Sequence, residues 1–97
     1  MSDNLDAAEA ALREKFADGG FDGTVKFDID GEGVLMLNDG TVSRGDDDAE
    51  ADVTISGDLD TFKEMFDGEL SPTAAYMTGK IKIDGDMATA MKLSAKL

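Results

Sequence analysis

The stretch FDIDGEGVLMLNDG, residues 27–40, is either a calcium loop between two helices or the bend between two strands, and the choice decides the fold. An EF-hand loop carries oxygen ligands at its first, third and fifth positions, glycine at the sixth and a carboxylate at the twelfth. Counting from Asp28 puts Asp28, Asp30, Glu32, Gly33 and Asp39 in those places, with Leu35 as the apolar eighth. The flanks argue against it. In TVKFDID, residues 24–30, Val25, Phe27 and Ile29 alternate with Lys26, Asp28 and Asp30, which is the period of a half-buried strand. VLML, residues 34–37, is the next strand, and DGEG between them is a turn whose glycines tolerate positive φ. The ninth place holds Met36, the twelfth holds Asp in place of a bidentate Glu, and DDDAEA, residues 46–51, lacks the glycine of a second loop. The stretch is therefore a hairpin, and neither calcium nor another metal is expected.

Working outward, residues 3–18 are helical, with Leu5, Ala8, Leu12 and Phe16 on one stripe, Ser2 or Asp3 as the cap and Gly19-Gly20 as the stop. NDG, residues 38–40, is a second tight turn, followed by the short strand TVSRG. DDDAEA is a solvated loop, and DVTIS, residues 52–56, alternates again through Val53 and Ile55. Four strands in near succession predict an antiparallel meander. Asp58 then caps a helix with the stripe Leu59, Phe62, Met65 and Phe66, stopped by Gly68. Ser71, Pro72 and Gly79 cap, open and end a second short helix. KIKID, residues 80–84, is a fifth strand, and DMATAMKLSAKL, residues 86–97, is a helix capped by Asp84 or Asp86. The order α-β-β-β-β-α-α-β-α makes a single domain of the α/β class, α+β type.

Ninety-seven residues suffice for a core, since a chain of this size buries somewhat over ~60% of its unfolded surface. Cysteine and histidine are absent, which removes disulfides, thiolate chemistry, the Ser-His-Asp triad and the commonest zinc ligand. No apolar run approaches the ~20 residues of a membrane span, and MSDNLDAAEA lacks the layout of a signal peptide. A soluble intracellular protein is expected. The net charge of −13 argues against nucleic acid as a partner. The charge is uneven. Residues 1–78 hold five basic and twenty acidic side chains, whereas residues 79–97 hold Lys80, Lys82, Lys92 and Lys96 against Asp84 and Asp86. Ordinary solvated faces are the plain explanation. The sharper one is that the basic segment meets an anionic headgroup or, transiently, a membrane surface.

The last helix is apolar over an arc of about 220°, through Leu93, Leu97, Ala90, Met87, Met91, Ala95 and Ala88, well beyond the usual stripe. Such a helix touches apolar matter on two sides, either protein all round or the sheet on one side and an apolar ligand on the other. A terminal helix of a small domain is hard to bury all round, which favours the ligand.

The segment ADVTISGDLDTFKEMFDGELSPTAAYMTGKIKIDGDMATAMKLSAKL, residues 51–97, resembles the sterol carrier protein-2 domain family. GKIKIDGDMATAMKL is its most specific part. ADVTI, the Phe-bearing helix and the G-x-L-x-P of residues 68–72 add to it. Residues 1–50 match by element order. Thr78 stands where many members carry Gln, and the chain is more acidic than familiar animal members. The resemblance implies a five-stranded mixed, mostly antiparallel sheet covered on one face by helices that enclose an apolar tunnel. It implies binding and carriage of a fatty acid, fatty acyl-CoA or sterol-like lipid, without catalysis and without a cofactor.

Methionine is flexible and polarizable and suits walls that must fit variable apolar shapes, although each such residue taken singly is more often core. The elements that the family uses for its tunnel make Phe27, Met36, Phe62, Met65, Phe66, Tyr76, Met77, Met87 and Met91 the expected ligand contacts. Arg44, Lys80, Lys82 and Lys92 are candidates for an anionic head. Each buried methylene contributes ~0.8 kcal/mol, so a buried alkyl chain offsets ordering and association costs. Two other readings stand beside the carrier. One is an enzyme working with carboxylates alone, which no diagnostic motif supports. The other is an acidic interaction module with no lipid. Cytoplasm is the expected location, and the terminal Ala95-Lys96-Leu97 resembles a peroxisomal address as the alternative. The oligomeric state stays open.

Overall fold

The structure, a computed structural model, describes residues 3–17, 21–46 and 48–96. Residues 27–40 form a β-hairpin. Strand β1 (Thr24–Ile29) pairs antiparallel with β2 (Gly33–Asn38), placing Phe27 opposite Leu35 and Ile29 opposite Gly33. Asp28 and Asp30 thus belong to a strand and its turn. Among the described residues no three acidic side chains converge as a metal would require. The NDG turn has Asp39 and Gly40 both at positive φ, 50° and 88°, the geometry whose twist suits two antiparallel strands. It leads into β3 (Thr41–Gly45), which pairs with β2.

The fourth strand does not continue the meander. β4 (Val53–Gly57) lies parallel to β1, and β5 (Ile81–Gly85) lies antiparallel to β4. The sheet order is β3-β2-β1-β4-β5. β3 ends level with the end of β1, across β2, whereas β4 starts opposite Val25, at the beginning of β1. Between Gly45 and Val53 the chain therefore returns from the level of Asp28 to that of Val25, roughly 10 Å of strand. A tight hairpin turn could not do that, and the acidic loop supplies the length. Asp52 anchors the arrival: its carboxylate accepts the Thr24 N–H at 3.1 Å, and its carbonyl accepts the Asp86 N–H at 2.8 Å. Gly85 sits at φ 120° against this turn, and a Cβ there would come within 2.5 Å of the Asp52 carbonyl.

Helices cover one face of the sheet. α1 (Asp3–Lys15) buries Leu5, Ala8 and Leu12, and Phe16 follows just beyond its end. Glu9 on α1 ties the helix to the sheet by pairing with Arg13 at 2.6 Å and with Arg44 of β3 at 2.5 Å; Asp6 also pairs with Arg44. α2 (Leu59–Phe66) buries Phe62, Met65 and Phe66 on the period its sequence predicts. α3 (Pro72–Met77) opens at the Ser71 cap and closes at Gly79, φ 78°. α4 (Met87–Lys96) is capped by Asp86, whose carboxylate accepts the Ala88 N–H and the Thr89 hydroxyl. The expected start at Ser2 or the Asp3 side chain, the Gly19-Gly20 stop and Leu97 lie outside the described residues.

Asp58 caps α2 by accepting the Thr61 N–H at 2.8 Å. Its pKa lies below the usual carboxylate value, first through the Thr61 side chain, then through the Thr61 N–H, with Lys80 adding to both. Asp58→Ala should therefore cost about 1 kcal/mol at neutral pH, measured by chemical denaturation. A folded pKa depressed below the unfolded one contributes stability at neutral pH and loses it as pH falls through the folded value. The wild type–variant gap should accordingly shrink below pH ~4.

Candidate functional site

Strand alternation assigns the core face. Val25, Phe27 and Ile29 of β1, Leu35 and Leu37 of β2, Val53 and Ile55 of β4 and Ile81 of β5 point under the helices and are buried. α4 crosses over β1, β4 and β5, pressing Thr89, Ala90 and Leu93 inward. Its other apolar side chains face away. Met87 is 48% and Met91 71% exposed, so the wide arc read in the sequence divides between protein and open space.

That space is an apolar groove of about 210 Å³. Met87, Ala90, Met91 and Ser94 form one wall, at the i, i+3, i+4, i+7 spacing of a single face of α4. Pro72, Thr73 and Tyr76 form the other, on α3. Ile55 and Ile83, paired across β4 and β5, are its floor. The hydroxyls of Thr73 and Ser94 stand 3.3 Å apart and link the two walls. The expected apolar tunnel thus takes the form of a groove open to solvent past Tyr76, Met87 and Met91. Its volume falls below the ~300–1,000 Å³ of pockets that enclose a drug-sized ligand.

Of the nine expected contacts, Tyr76, Met87 and Met91 line this groove. Phe27, Phe62 and Phe66 form a three-ring cluster in the core, with centroids 5.8–5.9 Å apart, and Met65 is buried with them. They hold the sheet to α2 and do not reach the groove wall. Met36 lies on the opposite face of the sheet, in register with Lys26 and Ser43, because it alternates with the buried Leu35 and Leu37. Met77 is 79% exposed, beside the groove-lining Tyr76 on α3 but off the wall. The residues missed by sequence reasoning are the small and ordinary ones: Pro72, Thr73, Ala90 and Ser94, and the Ile55–Ile83 pair. The i+3/i+4 spacing around Met87 and Met91 was the signal that could have found Ala90 and Ser94.

The cationic candidates are elsewhere. Arg44 is occupied by Glu9 and Asp6, and its charged form is favoured first by the Glu9 hydrogen bond. Lys80 and Lys82 line a separate polar cleft of about 350 Å³ with Asp28, Asp30, Asp58 and Ser56. Lys92 is exposed on α4, off the groove wall.

The comparisons with known proteins agree with this architecture. The SCP-2 sterol transfer family matches over residues 4–97. Hydroxysteroid dehydrogenase-like protein 2 of Bos taurus is 38% identical over 93 residues, covering 96% of this chain and 21% of its own length. Its Danio rerio counterpart is 46% identical over 77 residues, 73% of this chain and 19% of its own length. The chain thus spans about a fifth of the length of these relatives. Among solved structures, sterol carrier protein 2-like 2 of Aedes aegypti superposes with a TM-score of 0.81 at 20% identity, covering 97% of this chain and 96% of that one. Sterol carrier protein-2 of Aedes aegypti, determined in complex with palmitate, gives 0.75 at 19% identity over 98% and 94% of the two chains. With the sheet, the helix order and the family match over nearly the whole sequence in agreement, the chain belongs to the SCP-2 sterol transfer family.

Proposed function

We propose that this chain binds and carries a lipid by burying part of its hydrocarbon in the groove between α3 and α4. The observation that carries this reading is the apolar wall that the fold leaves unpartnered: Met87 and Met91, in a helix whose other side is fully engaged with the core. Family membership supports it, as does the palmitate complex of a structural relative. A fatty acyl chain or a sterol-like molecule is the proposed ligand class. Carriage is proposed over catalysis, because the groove wall consists of neutral side chains, with Tyr76 as its one titratable group. Loading by transient contact with a bilayer belongs to the same proposal, since Met77, Met87 and Met91 expose apolar surface on the helices that border the groove.

Native mass spectrometry after delipidation and incubation with a long-chain fatty acid tests the reading. A saturable one-to-one adduct, displaced by a fluorescent fatty acid, is expected. Absence of any adduct under conditions that keep the fold intact would remove the lipid ligand and leave the acidic interaction module as the alternative.

A further inference from the structure

The groove has polar atoms but no cation. None of the chain's nine Lys and Arg residues lines it, although all nine lie among the described residues. The basic side chains expected at an anionic head lie off the groove wall, Lys92 exposed on α4 among them. Arg13 and Arg44 serve Glu9 and Asp6 where α1 meets β3. Lys80 and Lys82 line the polar cleft with three aspartates. The Lys96 ammonium lies 5.9 Å from the ring centre of Phe16, beyond the opposite side of α4. What the groove does offer is neutral: the Thr73 and Ser94 hydroxyls, 3.3 Å apart at the junction of its two walls, and the Tyr76 side chain.

Two consequences follow from elementary electrostatics. A carboxylate held at this solvent-facing pair gains no countercharge from the groove lining. It also approaches a protein of net charge −13, whose field repels anions at low ionic strength. A hydroxyl suffers neither penalty. Between Thr73 and Ser94 it can donate to one oxygen and accept from the other, because each hydroxyl is both donor and acceptor.

Resting on the lipid-binding reading above, we infer that the groove selects an uncharged single-chain amphiphile ending in a hydroxyl over a free fatty carboxylate, and that Thr73 and Ser94 hold that hydroxyl. The volume of about 210 Å³ favours one thin chain.

The test compares dodecanol with dodecanoate, equal in chain length, on delipidated protein at mildly alkaline pH and low salt, following the methyl signals of Met87 and Met91. Dodecanol should bind at least about tenfold more tightly. Raising the salt should narrow the gap by strengthening dodecanoate alone, as the repulsive field is screened within ~10 Å or less. The double variant Thr73→Val/Ser94→Ala should weaken dodecanol about fivefold, the size of one neutral hydrogen bond. Equal or tighter binding of dodecanoate at Met87 and Met91 overturns the selectivity while leaving the lipid site intact. Unchanged dodecanol affinity in a folded double variant overturns the hydroxyl assignment. If neither ligand moves these signals, the inference falls together with the lipid-binding reading. Should the double variant not fold, the single variant Ser94→Ala is read in the same way: weakened dodecanol supports the hydroxyl assignment and unchanged dodecanol overturns it.

Discussion

Phe62→Ala should destabilise the protein by about 3–5 kcal/mol, a large share of the ~5–15 kcal/mol available to a domain of this kind. Phe62 is fully buried, edge-on to Phe27 with ring planes at 84° and tilted at 36° against Phe66. Its removal deletes ring contacts to both partners and leaves a cavity between α2 and the centre of the sheet, which close-packed surroundings refill only in part. Urea unfolding should show the midpoint shifted with the slope unchanged. The sequence permits the opposite expectation, a Phe62 that walls a lipid cavity. In that case truncation would change ligand affinity while costing little stability. A stability loss under about 1 kcal/mol with a marked change in binding would return Phe62 to the ligand site.

Met87→Glu/Met91→Glu should do the reverse. Both side chains are substantially exposed, so stability should change by less than about 1 kcal/mol, allowing for like-charge repulsion one turn apart. Lipid affinity should fall at least about tenfold, because two carboxylates would line a wall that now has no charge. A thermal melt and a fluorescent fatty-acid titration on the same sample separate the two effects. Unchanged affinity in the folded variant would mean that the lipid contacts neither methionine. Together the two variants divide the apolar residues into those that hold the fold and those that meet the ligand.

That division was only half visible in the sequence, for a physical reason. Local structure was legible wherever one residue type dictates a backbone geometry. Asp58 and Ser71 accept the N–H groups expected of helix caps, Gly68 and Gly79 adopt positive φ at helix ends, and Asp39-Gly40 makes the hairpin turn. The face each strand buries was legible too, because period two assigns it. Period two does not say which strand lies beside which. Val53 and Ile55 alternate the same way beside β3 or beside β1, so the parallel crossing of β4 appears only in the register.

The site was obscured by a similar gap. Apolar character marks Phe62, Met65, Met87 and Met91 alike, yet exposure depends on which side of a helix meets the sheet. α2 turns its aromatic stripe inward, and α4 turns its methionines out. The groove between α3 and α4 persists because Ala90, Ser94 and Thr73 are too small to fill it, and nothing in a residue list marks a side chain for the space it leaves. Lysine and arginine are ambiguous in the same way. Their charge suggested a headgroup contact, and the fold used Arg44 to clamp α1 onto β3.

A methyl-NMR titration of the delipidated protein with a long-chain alcohol or fatty acid addresses the lipid site most directly. Saturable shifts should appear at Met87, Met91, Ile83 and Ile55, with Met36 on the far face and Met65 in the core acting as unmoved internal references. Shifts centred on Met36 or Met65, or no saturable shift at any methyl, would contradict a lipid site between α3 and α4.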